Sequence, residues 1–357
     1  MESSYETVVI GGGVVGNSIA YHLSERYQEG ILVLDKKYPM TGTSGSTQAW
    51  VWVHNKTPSW YAEFSMYSAE LYPYLSKKIG DVEYKRTGGL SPFFAEKDRE
   101  KAKQLADSYR KIGIKIKVLS REEVLEKEPS INPNVAGATY SSIDGNVNPF
   151  RLIDMYMRAA KKNGVQYSTY NKVTSIEKQN GTFMVTSDKK TYVCKNLILA
   201  GGTWSRELGN LLGIDIPVNQ LRGQIIVTEP LKPFLNYTIS GLRQAINGEV
   251  LIGYSMEKAG FDRSTTLDVI QETANMAVHY VPSLRKAKIV RAFSGIRAMP
   301  EDGFPILGKV PGHENLYVAA THSGVTLSPL IGTLLTELIL DGETSVPIDR
   351  YSLSRFA

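Results

Sequence analysis

Gly11-Gly12-Gly13-Val14-Val15-Gly16 has the spacing G-x-G-x-x-G, and an acid, Asp35, closes the next apolar run. The first glycine permits a tight turn. The second lets a pyrophosphate approach the backbone, and the third lets helix and strand pack closely. A helix starting behind such a loop offers free N–H groups and the positive end of its dipole to phosphates. A carboxylate at position 35 accepts hydrogen bonds from ribose hydroxyls and disfavours a 2′-phosphate, which points to NAD or FAD over NADP. The glycines alone could make a tight turn without a ligand; the acid in register weighs against that.

Other reactive residue types are sparse. Cys194 is the one cysteine. One thiol can neither form an internal disulfide nor build a zinc or iron–sulfur site unaided. The five histidines, His22, His54, His279, His313 and His322, show no ligand spacing, so no metal is expected. His22 reads as structural.

The elements that must position these groups follow from periodicity. Thr7-Val8-Val9-Ile10 is a buried-type strand, Val14 to about Glu29 is helical, and Ile31 to Leu34 is a second strand. Continuous apolar strands of this kind belong to parallel sheets covered on both faces. A Gly/Ser/Thr-rich loop spans Tyr38 to Val53, and a helix is expected from about Ser59 to Ile79. Short strands then alternate with charged helices, Glu96 to Ile112 and Arg121 to Lys127. A helix opens at Asn148-Pro149. Strand-like sequence dominates from Pro217 to Arg297, interrupted by a helix near Thr266 to Tyr280. The end returns to strand (Leu316 to Ala319) and a long helix (Leu327 to Leu340).

The chain has 357 residues, enough for two domains, and 41 Lys+Arg against 36 Asp+Glu. That mild basic excess is spread out, so nucleic acid is not an expected partner. The acidic N-terminus lacks a signal-peptide pattern, and no apolar run is long enough to span a bilayer. A cytoplasmic location, or a peripheral one at the inner face of the membrane, is the economical reading.

Two further motifs bear on the choice between FAD and NAD. Leu197-Ile198-Leu199-Ala200-Gly201-Gly202-Thr203-Trp204 runs from a buried strand into a glycine turn, and it resembles a strand that closes over FAD in two-dinucleotide-binding-domain flavoproteins. Thr321 to Pro329 leads into the last helix, whose positive end can face a reduced flavin. With Ser44 to Ala49, Asp144 to Pro149, Arg222-Gly223-Gln224 and Arg297 to Pro305, these make an ordered set. The chain thereby resembles the FAD-dependent amino-acid oxidoreductases that include D-amino acid oxidase, glycine oxidase, sarcosine oxidase and dye-linked proline dehydrogenases. The resemblance covers nearly the whole chain.

That resemblance implies an α/β fold with a Rossmann-like FAD-binding domain of the two-dinucleotide-binding-domain type and a mainly antiparallel β substrate domain. The FAD domain is expected to be discontinuous, at 1–81, 141–216 and 290–357, with the substrate domain at 82–140 and 217–289. By the same resemblance, Gly11, Gly13, Val14 and Gly16 hold the pyrophosphate and Asp35 the adenosine ribose. Lys36, Thr43 and Ser44 lie along the adenosine–phosphate end. Thr47, Gln48 and Ala49 pass beside the isoalloxazine, and Val173 meets the adenine. Ala200, Gly201 and Trp204 lie by the phosphates and ribityl chain. Gly324, Val325, Thr326 and Leu327 cap the flavin pyrimidine.

Arg297 resembles the family's carboxylate-binding arginine, whose planar fork can bind a carboxylate bidentately. Arg222 is its rival and reads as structural. Tyr254 either meets the substrate or packs in the core. The resemblance implies hydride transfer from a substrate Cα to flavin N5, with the amine bound as its free base. Two departures stand out. The cysteine that tethers FAD in sarcosine oxidases is absent from Ser294-Gly295-Ile296, and Leu251-Ile252-Gly253-Tyr254 lacks their oxygen-activating lysine. The expected activity is therefore an amino- or imino-acid dehydrogenase, proline-like amines favoured, that passes electrons to a dye, quinone or partner. An oxygen-using oxidase, a flavin-carrying relay subunit of a larger complex and an NAD-dependent dehydrogenase are the alternatives. An oligomer is compatible with all of them.

Overall fold

The computed structural model describes residues 3–27 and 30–357. The strand Ser3–Ile10 lies between two parallel neighbours, Ile31–Leu34 and Thr191–Leu199. Val8, Val9, Leu32, Val33, Leu197 and Ile198 are all buried, as unbroken apolar runs in a doubly covered sheet require. This first sheet runs Ile306–Lys309, Leu316–Ala320, Thr191–Leu199, Ser3–Ile10, Ile31–Leu34, Gln166–Ser168. The hairpin Val173–Gln179/Thr182–Ser187 joins it through Thr191–Leu199.

The helix Val14–Arg26 follows the glycine loop directly. Its expected end at Glu29 lies outside the described residues. It packs on Pro149–Lys162 and on the C-terminal helix Gly324–Leu340. Gly332 makes that approach possible, because a Cβ there would stand 2.4 Å from both Ser18 Oγ and His22 Nδ1. His22 is half-buried, with its Nδ1 2.8 Å from the Ser18 carbonyl oxygen, so it is a helix-packing residue.

The second sheet runs Ile289–Pro300, Val218–Thr228, Val250–Ile252, Leu242–Gln244, Thr238–Ile239, Gly89–Phe93, Gly137–Ser141, Ile116–Ser120. All its pairings are antiparallel except Thr238–Ile239 with Gly89–Leu90. The α/β layer and the mainly antiparallel layer are thus both present. One boundary differs from expectation. Ile289–Pro300 pairs along its length with Val218–Thr228, so residues 290–300 belong to the second sheet and the return to the first comes after Pro300. Apolar patterning marks a strand but not its partner, so sequence alone does not assign Ile289–Pro300 to a sheet. Among the described residues no helix is long and apolar enough to cross a membrane.

Candidate active site

A cavity of about 480 Å³ lies between the two layers. Its floor is the glycine loop. Gly11 sits at φ +117°, and a Cβ there would be 2.3 Å from the Ala200 carbonyl oxygen. A Cβ on Gly16 would come within 1.8 Å of the Gly11 oxygen. These two glycines let the strand ends and helix start touch, while Gly13 and Val14 face the cavity. The Val14 N–H donates to Ser44 Oγ at 3.1 Å, and no acid occupies the helix's first turn, so the dipole's positive end stays open to an anion.

Asp35 accepts hydrogen bonds from the Gly12 and Lys37 N–H groups, at 2.7 and 2.8 Å, although burial pushes its carboxyl pKa up. The Lys36 ammonium lies 3.5 Å from the Trp204 ring centroid, and Phe261 stacks on the same indole. Asp35, Lys36 and Trp204 therefore stand at the edge of the glycine loop, off the cavity wall. Val173 is buried at the start of its strand, also off the wall.

One wall is the loop from 43 to 50. Thr43 Oγ1 donates to the Ile296 carbonyl at 2.5 Å. Gln48 reaches the Gly241 carbonyl at 3.1 Å, and Ala49 takes φ +57° with its N–H held by Thr47 Oγ1. Opposite are Gly324, Val325 and Thr326 at the start of the last helix. Thr326 Oγ1 bridges this helix to the loop strand, accepting from Trp52 N–H and donating to the Trp50 carbonyl, both at 3.1 Å. Ala200 also lines the cavity. Gly201 packs under Leu208 instead. Leu327 is wholly buried in the core beneath and does not reach the wall.

Arg297 enters from the second sheet. Gly223 and Gly295 are directly opposed across its two long strands, so their missing side chains open the same face. A Cβ on Gly295 would stand 2.6 Å from Ser46, and one on Gly223 would stand 2.8 Å from Arg297 Nε and Nη2. Arg297 is two residues beyond Gly295 and shares its face. Its Nη2 donates to the Ser255 carbonyl at 3.1 Å and its Nη1 to His322 Nε2 at 3.3 Å. Nε is buried without a partner, and desolvation lowers the side chain's pKa. Arg222 is spoken for by Glu257 at 2.7 Å and Asp262 at 2.5 Å, which makes it structural as expected. Tyr254 is 67% exposed and stands on the cavity's rim, so it is no core residue.

His322 and Lys56 are the groups that sequence reasoning missed or discounted. A guanidinium can only donate, so His322 accepts at Nε2 and carries its hydrogen on Nδ1. Burial, with the Lys56 and Arg297 charges, drives its pKa down to about 3. Its Nδ1 lies 3.4 Å from Ser323 Oγ, which also accepts from the Lys56 ammonium and, at 3.4 Å, from Tyr61 OH. Nothing local in His-Asn-Lys-Thr-Pro signals that Lys56 reaches this cavity. In the Ser294-Gly295-Ile296 stretch, the Ser294 hydroxyl donates to the Arg263 carbonyl. Cys194 is buried, its thiol pushed up to about 12. Among the described residues no cluster could hold a metal ion.

Residues 6–338 match the model of the DAO family, described as FAD dependent oxidoreductase. The chain belongs to this family. Among its relatives is hydrogen cyanide synthase subunit HcnC of Pseudomonas aeruginosa, 30% identical over 98% of this chain and 95% of that protein. The crystal structure of glycine oxidase from Geobacillus kaustophilus superposes with a TM-score of 0.94, at 27% identity over 99% of both chains. That of L-proline dehydrogenase from P. horikoshii gives 0.93, at 25% identity over 100% of this chain and 98% of the other. The protein is an FAD-dependent oxidoreductase, and this site suits that cofactor. Its glycines leave a cradle that Cβ atoms would fill. The buried Trp50 Nε1 and Thr321 Oγ1, both on the cavity wall, have no protein partner, as a ring edged with carbonyl and N–H groups requires.

Proposed function

We propose that this oxidoreductase acts on a small amino or imino acid, proline-like secondary amines first among them, and passes the electrons to a dye, quinone or protein partner. Bound FAD supplies the two-electron acceptor. The observation that carries the reading is Arg297: a half-buried guanidinium, with no acid partner among the described residues, on the wall of the cavity floored by the glycine loop. Two of its five N–H groups are fixed by Ser255 and His322, leaving Nε–H and one hydrogen on each terminal nitrogen for a carboxylate. Those two contacts hold the fork in one plane, so a bound carboxylate fixes where the substrate Cα–H points. Tyr254 covers the rim. The strand ahead of Gly253 carries Leu251 and Ile252 rather than lysine, which favours an acceptor other than oxygen. We place the enzyme in the cytoplasm.

Anaerobic titration of the FAD-loaded protein with L- and D-amino acids and N-alkyl amino acids tests this by loss of flavin absorbance. Proline-like amines should bleach it, and Arg297→Ala should raise the half-saturation by roughly 10- to 100-fold with FAD retained. Unchanged half-saturation in that variant refutes the anchor. Oxygen uptake exceeding dye reduction refutes the acceptor assignment.

A further inference from the structure

Two cationic side chains line the cavity. They are Arg297 and Lys56, and among the described residues no aspartate or glutamate lines it. The Lys56 ammonium makes no ion pair among the described residues. Its contacts are the neutral Ser323 hydroxyl and the face of Tyr61, with the nitrogen 4.9 Å from the ring centroid. An ammonium carries three hydrogens, so donors remain for a ligand. Lys56 is half-buried beside the exposed Asn55 and Thr57, and a carboxylate held on Arg297 leaves its spare donors for a second anionic group.

The two cations are linked along one wall. Arg297 donates to His322, His322 reaches Ser323, and Ser323 accepts from Lys56. The imidazole between them is neutral and its tautomer is fixed, so it spaces the cations without adding charge. The phosphate end of the cavity, at Val14 and Ser44, is formed by other elements.

We propose that the cavity takes a dicarboxylic amine, Arg297 holding one carboxylate and Lys56 the other. Either an amine flanked by two carboxyalkyl arms or an amino acid with an acidic side chain has this chemistry. The inference rests on the amino-acid reading above, so its test is separated from turnover by using redox-inert ligands.

Calorimetry on the FAD-loaded protein compares thiodiacetate, which has two carboxylates, with (methylthio)acetate, which has one. Thiodiacetate should bind tighter on the order of tenfold or more, the worth of one charge-assisted contact. Lys56→Met should remove that advantage, and Lys56→Arg should keep most of it. FAD content and the melting curve of each variant report folding separately. Equal affinities in the native protein, or a preference that survives Lys56→Met, overturn the proposal. Flavin bleaching then distinguishes the sources: iminodiacetate against sarcosine, and aspartate against alanine. A thiodiacetate preference that depends on Lys56, with no amine bleaching the flavin, upholds the dianion site and refutes the amine oxidation.

Discussion

Replacing Gly223 by alanine tests the arginine anchor without touching the arginine. The new Cβ would lie 2.8 Å from Arg297 Nε and Nη2 and 3.1 Å from Cζ, where ordinary contact begins at 3.4 Å. The guanidinium must therefore retreat by about 0.6 Å or swing off its bonds to Ser255 and His322. The strand itself should survive, since the clash is with the end of a flexible side chain and the ladder to Ile289–Pro300 uses only backbone. Displacement of this size at a positioning group costs roughly 10- to 100-fold in rate, or about 1.4 to 2.7 kcal/mol. The assay is anaerobic stopped-flow bleaching with the best substrate of the panel, alongside FAD content. A kcat/KM within twofold of the native value, with full FAD occupancy, would show that Arg297 does not position the substrate.

Gly16→Ala places a Cβ 1.8 Å from the Gly11 carbonyl oxygen, a backbone atom that cannot yield, so the protein should lose FAD and most of its soluble yield; a yellow, stable variant contradicts the close-packing argument. Asp35→Ala removes the acceptor of the Gly12 N–H and should weaken FAD retention on the order of tenfold, read by ultrafiltration and absorbance; unaltered retention removes Asp35 from the cofactor site. Desolvation of His22 and His322, held down to about 4 and about 3, makes stability acid-sensitive. Below pH 6.5 the unfolded chain takes up two protons that the native one refuses, so stability falls as pH drops toward 4, by at most about 2.7 kcal/mol per unit. The buried pair His54 and Asp144 shifts in opposite senses and largely cancels. A urea midpoint no lower at pH 5 than at pH 7.5 refutes this.

The glycine loop, its flanking strands and Asp35 were legible because each constraint there is local: a turn, a close approach, an apolar run. Arg297 could be picked out with help from family resemblance, but what holds its fork could not. Gly223 sits one strand away, and His322 comes from the turn between Leu316–Ala320 and the last helix. Lys56 shows the same limit from the other side. A lysine sought beside Gly253 is missing, yet one arrives from a loop far off in sequence. The misplacement of 290–300 has this cause too, since strand pairing is set by long-range packing that alternation does not encode. Leu327 fell on the wrong side of its helix because Val325 and Thr326 already face the cavity, and the next position turns inward.

His322 spends its lone pair on a guanidinium, His54 turns toward Thr139 and Asp144, and among the described residues no carboxylate faces the chamber. An arriving ammonium therefore meets no side chain able to relieve it of its hydrogen. Alkalinity of the medium must do that work beforehand, and the rate should climb with the titration of the incoming amine itself. Exchanging an alkyl for an aryl substituent on that nitrogen should slide the whole profile toward acid, with the protein unchanged.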